Sequence, residues 1–162
     1  MYYEGQGVAQ DYEQAAKWLR LAAEQKVPQA QYTLGWMYYK GFGVPQDDEE
    51  AAKWFQRAAD QGFTIAQAKL GLMYIKGQGV PKNNSKAAKL LQLASDKGHI
   101  VAQTNLALMY AKGQGVSKDY KKAANLLALA AEQGDPIAQS KLAVINEYVK
   151  NDFSDSKLAV AN

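Results

Sequence analysis

The chain has no cysteine among its 162 residues, which excludes a disulfide framework, thiolate chemistry and a Cys-ligated metal. Its 48% hydrophobic content excludes a disordered chain, and a net charge of +3 falls short of the basic bias of a dedicated nucleic-acid binder. No apolar run approaches the roughly 20 residues of a membrane span, and no basic region followed by an apolar core marks a signal peptide. The compartment stays open, cytoplasmic or periplasmic/secreted. The charge is uneven: residues 1–81 hold 8 Lys/Arg and 9 Asp/Glu, a net of −1, whereas residues 82–162 hold 11 and 7, a net of +4.

The chain opens on Met1-Tyr-Tyr-Glu-Gly-Gln-Gly-Val8, and this motif returns at 37–44, 73–80 and 109–116, each copy 36 residues after the last. A fixed period of this length predicts stacked supersecondary units that share a continuous core. Met1 falls within a repeat, so the chain is either a protein that opens abruptly or a piece of a longer array. After the motif, Asp11 to Gln25 reads as a helix of a first type. Asp11 can cap it by accepting from the free amides of the first turn. Ala15, Leu19, Ala22 and Ala23 form a small-residue stripe at helical spacing. Equivalent helices start at Asp47, Asn83 and Asp119. The acidic run Asp47 to Glu50 needs no special function, because negative charge is favoured at a helix N-terminus.

A second helix type follows each first one. Pro28 to Lys40 is the first complete copy, and Thr64, Ile100 and Pro136 open the others. Gly62, Gly98 and Gly134 sit in the turn before these helices, with Lys26 in that place in the first unit. Gly-x-Gly-Val loops close them: Gly5 and Gly7, Gly41 and Gly43, Gly77 and Gly79, Gly113 and Gly115. The first Gly of each pair is expected to end the helix with positive φ. The Val at 8, 44, 80 and 116 is expected to tuck back between helices.

Comparing the copies separates two faces of the second-type helix. At 100° per residue, positions 30, 31, 34, 35, 37 and 38 share one side. There Ala30, Gln31 and Leu34 recur without change, and Gly35 and Gly71 become Ala107 and Ala143. Positions 29, 32, 33, 36, 39 and 40 fall opposite and mostly vary. Position 32 runs Tyr32, Ala68, Thr104, Ser140; position 33 runs Thr33, Lys69, Asn105, Lys141; position 36 runs Trp36, Leu72, Leu108, Val144. The constant face is expected to pack, and the varying face is the candidate binding surface. The first-type helix is mostly scaffold, with Trp18 and Trp54 replaced by Leu90 and Leu126. After Ala143 the pattern decays, with Val149 and Asn151 where a fifth Gly-x-Gly would fall. The predicted organisation is a repeat solenoid over 1–150, made of a partial repeat 1–27, repeats 28–63, 64–99 and 100–135, and a capping helix 136–150. A tail of 151–162 follows.

The full pattern is Ala30, Leu34, Gly35, Tyr38, Gly41, Gly43, Val44, Asp47, Ala51, Trp54, Ala58 and Ala59. It resembles the Sel-1-like repeat and recurs four times over residues 1–150. The resemblance implies an all-α fold, a right-handed superhelical α-solenoid of about four helix–loop–helix units related to tetratricopeptide repeats. It also implies an adaptor that holds other proteins, of the kind found in bacterial signalling, envelope and host-contact systems and in eukaryotic quality control. Lys26 for Gly, Leu90 and Leu126 for Trp, and the missing fifth loop depart from the pattern.

Several motifs invite catalytic readings that their surroundings oppose. Gly-x-Gly lacks the third glycine and preceding strand of a dinucleotide fingerprint. His99, the sole histidine, has no evident triad partners and no ligand cluster for zinc. Glu24, Asp60, Asp96 and Glu132 recur near the ends of first-type helices, as exposed charge or as inter-repeat ion pairs. Ser154-Asp-Ser-Lys157 has the Ser-x-x-Lys spacing of a serine enzyme acting on β-lactams or cell-wall material, the alternative function suggested by cysteine-rich relatives. It lies in the polar tail. Tyr3, Tyr32, Trp36 and Tyr39 are aromatics on the varying face and suit an interface hot spot, or else the join to an upstream repeat.

The function expected is therefore a non-enzymatic protein-interaction scaffold without cofactor or metal. Its concave face, built from the varying sides of the second-type helices, would bind a peptide or protein. Tyr32, Trp36, Tyr39 and Lys69 would anchor it, with Leu72, Asn105, Leu108 and Lys141 extending the site. Neither nucleic acid nor membrane insertion is expected, and the chain would be a monomer or a weak end-to-end oligomer.

Overall fold

The computed structural model describes residues 11–160, with side chains through Asn151. Tyr3, Gly5 and Gly7, and the side chains of Ser154 and Lys157, lie outside what is described. Eight helices follow in order among the described residues: α1 (Tyr12–Glu24), α2 (Pro28–Lys40), α3 (Asp48–Asp60), α4 (Thr64–Lys76), α5 (Asn84–Ser95), α6 (Ile100–Lys112), α7 (Tyr120–Glu132) and α8 (Pro136–Val160). No strand occurs among those residues. Odd helices are the first type and even helices the second. Helices α1–α4 belong to one compact unit and α5–α8 to another. In the first unit α1 packs on α2, α2 on α3 and α3 on α4; in the second α5 packs on α6, α6 on α7 and α7 on α8.

The helix boundaries follow from local chemistry. Asp11, Asp47 and Asp119 accept from the amides of Gln14, Glu50 and Lys122 at 3.0, 2.9 and 2.9 Å. Each such cap typically contributes about 1 kcal/mol. Helix α6 is capped by His99, whose Nδ1 accepts from the Ala102 amide at 3.3 Å. Helices α2, α4 and α6 end on Gly41, Gly77 and Gly113, with φ of 73°, 69° and 66°. Helix α8 does not stop near Lys150 as the polar exit suggested but continues to Val160. The reason is local: no glycine or proline follows Pro136 in this helix, and polar residues alone do not end one.

Packing explains why the constant face is constant. Leu34, Leu70, Leu106, Met37 and Met73 are fully buried, with Met109 nearly so. Leu34 shares a cluster with Ala23, Ala30 and Trp54. Val44 packs with Ala15, Ala16 and Met37, as expected of a loop anchor. The recurring glutamine is a polar clamp inside this core. Gln31 donates through Nε2 to the Ala23 carbonyl at 3.0 Å and accepts at Oε1 from Gln61 at 2.7 Å. Gln67 repeats the first bond to Ala59 at 3.2 Å, and Gln139 repeats it to Ala131 at 3.3 Å. In the second unit Gln133 donates to Gln103 at 2.9 Å. The glutamine amide thus adds a second bond to a carbonyl at the end of the preceding helix, which also accepts from the turn amide of Lys26, Gly62 or Gly134.

The second glycine of each loop is held more tightly than the first. A Cβ on Gly43 would stand 2.1 Å from the Tyr12 carbonyl oxygen, and one on Gly79 would stand 2.0 Å from that of Asp48. The loop therefore lies directly on the backbone that starts the first-type helix of the same repeat array. A side chain at this point would force the helix away.

A candidate binding surface on the second-type helices

The structure gathers part of the expected surface into one cluster in the first unit. Trp36 and Tyr39 both project from α2 and stack with ring centroids 5.4 Å apart, at an interplanar angle of 27°. Lys69, from α4, places its ammonium 3.4 Å from the Tyr39 ring centroid and 5.0 Å from that of Trp36. Lys40 reaches the same rings at 5.6 and 5.2 Å. Two aromatic faces thus carry two cations, an arrangement worth roughly 0.5–1 kcal/mol per exposed pair and more when desolvated. Trp36, Tyr39, Lys69 and Leu72 are half-buried, and Lys40 is exposed.

The electrostatics of the cluster are one-sided. The Tyr39 phenol lies below its ordinary pKa, first because Lys69 hydrogen-bonds it; burial opposes this, and the charges of Lys69 and Lys76 with a hydrogen bond from Gln78 assist. Lys69 also lies below its ordinary value, chiefly through burial, with Lys76 and Lys40 adding like-charge repulsion against the help of Tyr39. The Gln78 amide donates in turn to Asp48 Oδ2 at 3.1 Å.

Tyr32, half-buried like Trp36 and Tyr39, has ring neighbours outside that cluster. Its ring packs against Phe55 of α3 and Phe63 of the following turn, with centroids 5.4 and 5.5 Å away. The equivalent residues Ala68 and Thr104 are buried at 2% and 3% exposure. Position 32 therefore varies because it fits each neighbour, not because it is free of neighbours. Thr104 donates its hydroxyl to Asp135, and this bond is the leading cause that holds the Asp135 carboxyl below its usual range.

In the second unit, Asn105 and Leu108 on α6 are half-buried, and Lys141 on α8 is exposed. The Asn105 amide is taken up by the Val101 carbonyl at 2.7 Å. No aromatic stands at the positions equivalent to Trp36 and Tyr39, which hold Leu108 and Ala111. Of the periodic carboxylates, Asp60 and Asp96 accept from Gln56 and Gln92 of their own helices at 2.6 and 2.7 Å. Among the described residues no group of three His, Asp or Glu side chains comes together as a metal site, and no helix is long and apolar enough to cross a membrane.

Lys40 and Lys76 are the members of the cluster that the sequence reading passed over. Their signal was visible, since Lys40, Lys76 and Lys112 all end second-type helices. That position is explained equally well by the negative end of the helix dipole, which hides a second role. The reading also missed a groove of 790 Å³ beside α3, bounded by Lys53, Arg57, Tyr74 and the Gly77–Pro81 loop. An equivalent groove of 460 Å³ lies beside α1 against Gly43 and Val44. Both are shallow features that the repeat itself generates where the loop crosses the first-type helix, whereas the aromatic cluster occurs in one unit.

A model of the Sel1 repeat matches residues 1–27, 28–63, 64–99 and 100–135. Similar solved structures include a protective antigen present in uropathogenic Escherichia coli strains that displays an SLR fold. It is 40% identical with a TM-score of 0.86, over 90% of this chain and 31% of that one. A Sel1 repeat protein from Oxalobacter formigenes is 37% identical with a TM-score of 0.83, over 88% of this chain and 58% of that one. This chain thus spans well under two thirds of either protein. The cysteine rich protein B of Helicobacter pylori, at 20% identity and a TM-score of 0.62 over 84% of this chain and 98% of its own, shares the fold alone. No curated protein matches the chain. Four consecutive repeat matches, the last three falling on the described pairs α2/α3, α4/α5 and α6/α7 with their Gly-x-Gly loops, show that the chain belongs to the Sel1 repeat family.

Proposed function

We propose that this protein is a non-enzymatic interaction adaptor whose first unit binds a peptide or protein segment on the exposed side of α2 and α4. Sel1 repeat proteins are generally protein-interaction scaffolds, and nothing in the similar structures favours the β-lactam or cell-wall alternative. The observation that carries the finer reading is the Trp36–Tyr39 stack with Lys69 on it. Tyr and Trp supply large contact area with few rotatable bonds, and they dominate interface hot spots. Here the two rings already hold each other and the lysine, so less ordering remains to oppose binding. Leu72 extends the apolar part on α4. Tyr32 supports the surface from beneath through Phe55 and Phe63. Asn105, Leu108 and Lys141 offer a second, less aromatic face on the other unit.

The mechanism is equilibrium binding to a preformed surface with no covalent step. The test is capture of partners from the source cell by wild type and by the Trp36→Ala/Tyr39→Ala variant, with equal helicity checked by circular dichroism. Loss of a hot-spot aromatic costs about 2 kcal/mol or more, so a specific partner should weaken at least ~30-fold. Undiminished capture by the folded variant would move the site to the groove beside α3.

A further inference from the structure

The first unit presents an excess of unopposed positive charge at its aromatic cluster, and this has chemical consequences for what binds there. Residues 1–81 carry one more acid than base, so the patch is not the product of a generally basic surface. Lys40 and Lys69 nevertheless converge on the Tyr39 ring, at 5.6 and 3.4 Å from its centroid, and the charge of Lys76 acts on both Tyr39 and Lys69. The ion pairs seen among the described residues are Lys53 with Glu50 and Lys122 with Asp119, and neither involves these three lysines. Asp48 is linked to the cluster through Gln78, which donates to its Oδ2 at 3.1 Å. Two like charges, on Lys40 and Lys76, around the half-buried Lys69 ammonium are unfavourable until an anion joins them. In the folded protein alone, the rings compensate only in part.

From this charge complementarity we infer that the occupant of the α2/α4 surface is an acidic peptide segment, in which one or two carboxylates lie beside a bulky apolar side chain. The inference rests on the adaptor reading above and deepens it. The carboxylates would accept from Lys69 and Lys40, with Lys76 contributing charge. The neighbouring apolar side chain would cover the open part of the Trp36 ring and Leu72. A partly desolvated ammonium makes a stronger charge-assisted bond than one in open water. The rings set the spacing between the acidic and apolar groups, which is the source of selectivity over a merely anionic surface.

The probe is a random dodecapeptide library displayed on phage and selected against the full chain, followed by anisotropy titration of labelled selected peptides. Enrichment of Asp or Glu next to Leu, Ile, Phe or Trp is expected. Affinity should fall ~10-fold or more in Lys69→Met, as loss of one charged hydrogen bond implies, and be largely retained in Lys69→Arg. It should also weaken steadily with added salt. Selected peptides that are neutral or basic, acidic peptides indifferent to Lys69→Met, or a library that returns unenriched would each overturn the acidic assignment. The two readings separate cleanly. Neutral peptides lost in Trp36→Ala/Tyr39→Ala remove the acidic partner and keep the site. Peptides of any charge that bind that variant as well as wild type remove the site itself.

Discussion

Replacing Gly35 by Ala should have opposite effects depending on the residue at position 55. A Cβ on Gly35 would sit 2.9 Å from two carbons of the Phe55 ring and 3.2 Å from the Ala51 carbonyl oxygen. Phe55 is fully buried and also holds Tyr32, so its ring has little room to retreat. Overpacking of this kind costs ~1–3 kcal/mol, against a gain of roughly 0.5–1 kcal/mol from Ala over Gly inside a helix. Gly35→Ala should therefore lose about 1–2 kcal/mol in the wild-type background. In a Phe55→Leu background the ring is gone and the same change should be neutral or stabilising. The second unit already contains this solution, since Ala107 and Leu127 are both fully buried in one cluster. The assay is a double-mutant cycle by urea unfolding, with circular dichroism and equal slopes confirming comparable transitions. The coupling should be ~2 kcal/mol. Additivity within ~0.5 kcal/mol would refute the claim that the glycine exists to admit the ring.

Three further outcomes follow from the same geometry. Gly79→Ala should cost roughly 3 kcal/mol or more, because it drives a methyl into the Asp48 carbonyl; Gly77→Ala, whose nearest neighbour would be Lys82 Cβ at 3.3 Å, should cost only about 1–2 kcal/mol of left-handed backbone strain. Equal losses in thermal melts would defeat the distinction. Lys26 holds φ of 63° where the later turns have glycine, so Lys26→Gly should raise stability by about 0.5–1 kcal/mol, and a lowered melting temperature would contradict this. Burial lowers the pKa of His99, whose neutral Nδ1 caps α6. The unfolded chain then binds the proton more readily, so stability is full above the ordinary histidine value of ~6.5 and declines as pH falls toward the folded value. His99→Asn should remove that part of the pH dependence while keeping a cap, and an unchanged pH profile of the melting temperature would count against the role.

The period of 36 residues, the capping aspartates and the loop glycines determined the helix-pair architecture and nearly every boundary from the sequence alone. These are local signals: a cap or a positive-φ glycine acts within a few residues, so its meaning survives without knowledge of the fold. Copy-to-copy constancy likewise marked Ala30, Gln31 and Leu34 as packed, because a repeated interface imposes the same constraint each time. Variability was the weaker guide. It could not separate Trp36 and Tyr39, which meet Lys69, from Tyr32, which meets Phe55 and Phe63. Only the tertiary structure decided that, since a position varies when its surroundings vary as well as when it has none. The same holds for the lysine cluster. Lys40 and Lys69 stand far apart in the sequence with unremarkable local roles, and they share the Trp36 and Tyr39 rings only in the folded chain.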